Sequence, residues 1–127
     1  MPDLTNWTVF VVDDEPDNVN LVRLIFEFHD VAIKSATSGR ECLAQLEQGL
    51  PTVLLIDIQM PEMSGIELLE TIRVRWPNIP AVAMTAYTMQ GDRERMMAAG
   101  FNGYIGKPID VMGLVDDVVG VVNARNV

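Results

Sequence analysis

Val53-Leu54-Leu55-Ile56-Asp57 is the stretch that decides the fold, with Ser64-Gly65-Ile66-Glu67 following it after a short loop. A strand with one wet face alternates apolar and polar side chains. An unbroken apolar run bounded by turn residues instead marks a strand covered on both faces, as in a parallel sheet. Ser64 with Glu67 three positions on reads as a capping box: the serine oxygen takes an orphan N–H and the glutamate reaches back. The helix it opens carries Leu68, Leu69 and Ile72 inward and should stop before Pro77.

The same unit recurs on either side. Short apolar runs lie at Val9–Val12, Val31–Ile33, Ala81–Met84 and, weakly, Gly103–Ile105. Between them Pro16 suits the first turn of a helix, in which Val22, Ile25 and Phe26 recur at helical spacing. Ser38 with Glu41 reads as a second capping box, opening a helix that carries Leu43 and Leu46. Gln90 to Ala99 predicts a fourth helix, with Gly100 placed for a left-handed cap. Asp110 is expected to cap a fifth, whose stripe is Leu114, Val115, Val118 and Val122. Five strand–helix repeats predict an open α/β sheet with right-handed crossovers and helices on both faces.

The chain has 127 residues, the size of one ordinary domain. We expect a single domain over residues 1–127, ordered from about residue 7 to 124, with no output domain. Nine Lys and Arg against eighteen Asp and Glu give a net charge of −9. That balance argues against direct nucleic-acid binding and against an anionic membrane surface. No apolar run approaches the roughly 18 residues of a membrane span, so no membrane insertion is expected. With one cysteine, Cys42, and no visible signal peptide, the expected location is cytoplasmic.

Ligands of open α/β sheets bind at the carboxyl ends of the strands, so the residues just past each run matter most. These are Asp13-Asp14-Glu15, Asp57, Thr85-Ala86 and Lys107-Pro108. On one sheet edge, Asp13, Asp14 and Asp57 would converge and repel one another unless cations intervene. Lys107 is one candidate cation. Oxygen ligands suit Mg²⁺ as the other, with Mn²⁺ a possible substitute. A carboxylate so placed can attack a phosphoryl donor, and Asp57, ending the central strand, is the expected nucleophile. Thr85 would offer its hydroxyl, and Ala86 its backbone N–H, to the phosphoryl oxygens. Taken singly, Asp13-Asp14 reads as a solvated turn, Asp57 as a loop cap, and Lys107 as a surface charge. Compliance at four strand ends is what carries the argument.

Together, Val11-Val12-Asp13-Asp14-Glu15, Ile56 to Gly65, Met84-Thr85-Ala86 and Gly106-Lys107-Pro108 resemble the receiver domain of two-component response regulators. The likeness runs along nearly the whole chain and is to the stand-alone, chemotaxis-regulator-like kind. The resemblance implies a flavodoxin-like (βα)5 fold with a five-stranded parallel sheet of order 2-1-3-4-5. It implies that Asp57 accepts the phosphoryl group from a histidine kinase or phosphotransfer protein. Asp14 and Asp57 would be the main Mg²⁺ ligands, Asp13 assisting through water and Gln59 through its backbone carbonyl. Lys107 would contact the phosphoryl group, and the Lys107–Pro108 bond would be cis.

Thr85 and Tyr104 would be the family's switch pair, which implies a changed surface on helix four, strand five and helix five for a downstream protein target. A plain half-buried strand aromatic is the competing reading of Tyr104. Gln59 and Tyr87 would flank the path of hydrolytic water, and a bulky Tyr87 implies slow loss of the phosphoryl group. Leu21, Leu24 and Phe28 exceed one buried stripe on the first helix; they mark either a docking face for the phosphodonor or a broadly buried helix. The protein is expected to be a switch rather than an enzyme, and a monomer or weak dimer. Two alternatives stand beside this reading: a receiver excised from a hybrid kinase or larger regulator, and an aspartyl-phosphate phosphohydrolase. The second is disfavoured because Gln59 occupies the position where such enzymes carry an acid/base aspartate. A flavodoxin-type cofactor binder is disfavoured by the acidic first loop.

Overall fold

The computed structural model describes residues 4–86 and 90–125. Strands β1 (Thr8–Val12), β2 (Ala32–Ala36), β3 (Val53–Asp57), β4 (Ala81–Thr85) and β5 (Gly103–Gly106) alternate with helices α1 (Pro16–Phe28), α2 (Gly39–Leu46), α3 (Gly65–Arg75), α4 (Gln90–Ala99) and α5 (Leu114–Arg125). The sheet order is β2-β1-β3-β4-β5 and every pairing is parallel. The order reverses between β1 and β3, so the crevice at the switch point opens beside the ends of these two strands.

The buried strands divide their residues by parity. Val9, Val11, Val53, Leu55, Val82 and Met84 enter the core beneath α1 and α5. Phe10, Val12, Leu54, Ile56, Ala81 and Ala83 enter the core beneath α2, α3 and α4. The unbroken apolar runs of β1, β3 and β4 follow from this double coverage.

Three local expectations need correction. The second strand is not Val31–Ile33 but Ala32–Ala36. It is an edge strand that alternates in exposure, and Val31 instead closes α1 by donating its N–H to the Phe26 carbonyl. Ser38 accepts the Glu41 N–H as expected, but Glu41 does not complete the box. Its carboxylate accepts the Thr37 hydroxyl instead. Asp110 caps the turn leading to α5 rather than α5 itself, which begins at Leu114. Its carboxylate accepts from Met112, and its carbonyl from Gly113 and Leu114.

Elsewhere the local signals hold. Ser64 and Glu67 form the full reciprocal box. Gly100 has φ +110°, and the Gly100 and Phe101 N–H groups bond back to Met97 and Met96, closing α4 with the left-handed cap that glycine permits.

Candidate functional site

The site forms where the carboxyl ends of β1, β3, β4 and β5 share one edge. Asp13 and Asp14 follow Val12, and Asp57 is the last residue of β3. One ligand oxygen from each of the three carboxylates lies within 4.8 Å of the others. Asp13 is 0% and Asp57 2% exposed, while Asp14 is half-buried.

Lys107 enters from beyond β5, where its N–H bonds to the Thr85 carbonyl at 2.9 Å. Its ammonium donates to Asp13 Oδ2 at 3.2 Å and lies 3.0 Å from Asp57 Oδ1. The Lys107–Pro108 peptide bond is cis. Asp13 Oδ1 accepts the Glu15 N–H at 2.9 Å, and Asp57 Oδ1 also accepts the Gln59 N–H at 3.2 Å. Asp57 Oδ2 is buried with no hydrogen-bond partner. Buried polar atoms are rarely left so, which makes this oxygen one that calls for a ligand or a cation.

Burial and the Asp13 charge push the Asp57 carboxyl up to about 6, against the opposing pull of Lys107 and the Gln59 N–H. Burial alone would lower Lys107. Its hydrogen bond to Asp57 and the charges of Asp13 and Asp57 outweigh that and raise it. With all three carboxylates ionised, one lysine leaves two negative charges uncompensated, the charge of one divalent cation. The all-oxygen donor set, part-buried with one oxygen unpartnered, fits Mg²⁺.

Thr85 is buried at the end of β4, opposite Gly106, and Ala86 follows at the surface. Gln59 is exposed at the rim of a cleft of about 640 Å³ that Glu15, Met60, Thr85 and Arg95 also line. Tyr104 is half-buried against the core beneath α4. Tyr87 and Met89 lie outside the described residues. The structure resolves the ambiguity on α1: Leu24 is 66% and Phe28 85% exposed, so the helix is not broadly buried.

Two contributors escape sequence reasoning. A Cβ on Gly65 would stand 2.3 Å from the Asp57 carbonyl oxygen and 2.9 Å from the Ile58 Cα. The first turn of α3 therefore approaches the Asp57 backbone closely, which only glycine permits. Arg93 on α4 lies over the Tyr104 ring, 5.4 Å from its centroid; nothing in its sequence context singles it out.

Comparison with known proteins agrees with this geometry. Residues 9–119 match the response regulator receiver domain family. The polar-differentiation response regulator DivK of Brucella abortus is 34% identical over 113 residues, 87% of this chain and 92% of that protein. A 14.6 kDa protein of Leptolyngbya boryana is 38% identical over 117 residues, 91% of this chain and 89% of its own length. The chemotaxis protein CheY4 of Vibrio cholerae superimposes with a TM-score of 0.87 at 25% identity, covering 91% of this chain and 98% of CheY4. On family match, relatives and fold together, this chain belongs to the response regulator receiver domains of two-component signalling.

Proposed function

We propose that the protein is a phosphoryl-accepting switch: Asp57 takes a phosphoryl group from a histidine kinase or phosphotransfer protein, and the surface of α4, β5 and α5 changes for a downstream protein. The observation that carries this reading is the buried, unpartnered Asp57 Oδ2 inside an acidic cluster with one lysine. Receiver domains bind Mg²⁺ at an acidic pocket. Here Asp14 and Asp57 would hold it, with Asp13 through water and the Gln59 carbonyl assisting. When bound, the ion neutralises charge on the transferring phosphoryl oxygens.

Asp57 Oδ2 attacks phosphorus as the bond to the donor's leaving atom breaks, and that atom departs with the electron pair. Asp57 Oδ1 is held by Lys107 and the Gln59 N–H, which leaves Oδ2 as the oxygen without a partner. The Lys107 ammonium offsets charge on the transferring group, and the Thr85 hydroxyl and Ala86 N–H receive its oxygens. Pairing with Thr85 would then draw Tyr104 inward. The phosphodonor docks on α1, where Leu24 and Phe28 stand exposed beside Val111 and Met112 of the loop before α5. The protein acts as a signalling switch by contact with other proteins, not by turning over a substrate.

Incubation with acetyl phosphate and Mg²⁺, followed by intact mass, tests the reading. Wild type gains one hydroxylamine-labile phosphoryl group and Asp57→Asn gains none. Labelling of the variant, or no labelling of wild type, overturns it.

A further inference from the structure

We propose that Arg93 is a positioning residue that holds Tyr104 in the resting arrangement of the site, so that its cation–π contact opposes switching. This rests on the reading above, in which Thr85 and Tyr104 rearrange on phosphorylation. Helix α4 is attached unevenly. Its described buried side chains are Met96 and Ala99, both in its second half. Its carboxyl end is clamped: Arg73 of α3 donates to the Gly100 carbonyl at 3.1 and 2.8 Å and to Asn102 Oδ1 at 3.2 Å. Asn102 Oδ1 in turn accepts the Ala81 N–H at 2.9 Å, which fixes the clamp to the start of β4. The amino-terminal half of α4 meets β5 through the Arg93 guanidinium over Tyr104.

The contact accompanies a Lys107 ammonium that pairs directly with Asp13 and Asp57. Arg93 is exposed and Tyr104 half-buried, so the pair is partly screened. A cation–π contact of that kind shifts a two-state equilibrium by about two- to five-fold. Arg93 neighbours Met96 at i, i+3 but stays at the surface, its guanidinium over the ring, so a ring that turned inward would leave the guanidinium behind.

The test is calorimetric binding of beryllofluoride in the presence of Mg²⁺, since this probe occupies the position of a phosphoryl group on a carboxylate. Arg93→Ala should bind about two- to five-fold more tightly than wild type, and Arg93→Lys, which keeps a cation, should restore part of the difference. In a Tyr104→Leu background the Arg93→Ala effect should vanish, whereas in Tyr104→Phe, which keeps a ring, it should persist. A residue that merely steadies α4 would give the same change in both backgrounds. Unchanged or weaker binding by Arg93→Ala, or an effect that survives Tyr104→Leu, overturns the proposal. If wild type itself binds no beryllofluoride, the phosphoryl-acceptor reading fails and this inference falls with it.

Discussion

Replacing Asp57 with asparagine should make the metal-free protein more stable, because the Asp57 carboxylate is held in an environment that opposes its charge. The carboxyl is raised from 3.8 to about 6, first by burial and then by Asp13. That interval corresponds to roughly 3 kcal/mol of preference for the protonated form in the folded state. Asp57 is 2% exposed, so solvent screening takes little from the figure. The sign follows from linkage. The folded state holds this proton more tightly than the unfolded chain does, so the advantage is complete below about pH 4 and is lost as pH rises through 6. In urea unfolding with a chelator present, Asp57→Asn should exceed wild type by about 1–3 kcal/mol at pH 7.5, and the gap should close as pH falls toward 4. Added Mg²⁺ should narrow it from the other side, by stabilising wild type more than the variant. Equal unfolding midpoints at pH 7.5 under chelation, or a more stable wild type, would refute the electrostatic account of the site.

Gly65→Ala should destabilise the fold by about 1–3 kcal/mol and slow labelling by acetyl phosphate, since the new methyl meets the Asp57 carbonyl; an unchanged urea midpoint would contradict this. Cys42 is buried and burial pushes its thiol up to about 12, so a disulfide reagent at pH 8 should modify it only in denaturant. Leu24→Ser with Phe28→Ser should leave stability within about 0.5 kcal/mol and acetyl phosphate labelling intact, while transfer from a histidine kinase slows. Tyr87→Ala should shorten the lifetime of the phosphorylated protein, measured by its decay after donor removal; an unaltered decay rate counts against a screening role for Tyr87.

How far the sequence could be read depended on which kind of force acts at each position. Asp13, Asp14, Asp57 and Lys107 were legible because a parallel sheet carries every strand's carboxyl end to one edge, so four short motifs had to meet. The sheet interior was legible for a related reason: β1, β3 and β4 are covered on both faces and show unbroken apolar runs. The edge strand β2 was misplaced because it has one covered face, and its polar Lys34 and Ser35 carry no such signal. At Ser38 and Asp110 the partners taken up are Thr37 for Glu41 and Met112, Gly113 and Leu114 for Asp110. Spacing alone does not encode that. Arg73 and Arg93 were invisible for the same reason, since an arginine's partner 27 residues away, or across a helix and a strand, follows only from the packed structure.

The helices are held to the sheet with different strength, and this bears on which of them could respond to chemistry at the edge. Helix α1 buries Val19, Val22, Ile25 and Phe26, and α5 buries Leu114, Val115, Val118, Val119 and Val122. At about 1.5–3 kcal/mol for each large side chain fully buried, either helix is anchored by several times what Met96 and Ala99 supply to α4. A phosphoryl group on Asp57 adds one to three charge-assisted hydrogen bonds, each worth about 1.5–3 kcal/mol. That sum, about 1.5–9 kcal/mol, lies mostly below the hold on α1 or α5 and matches or exceeds the hold on α4. On the proposed function, α1 and α5 would stay fixed, as suits a surface on which a phosphodonor is to meet the same geometry each time. On that same proposal, movement would concentrate in α4, and because the Arg73 clamp holds its carboxyl end, the amino-terminal half would carry the displacement, over Tyr104 and beside the cleft lined by Gln59 and Thr85.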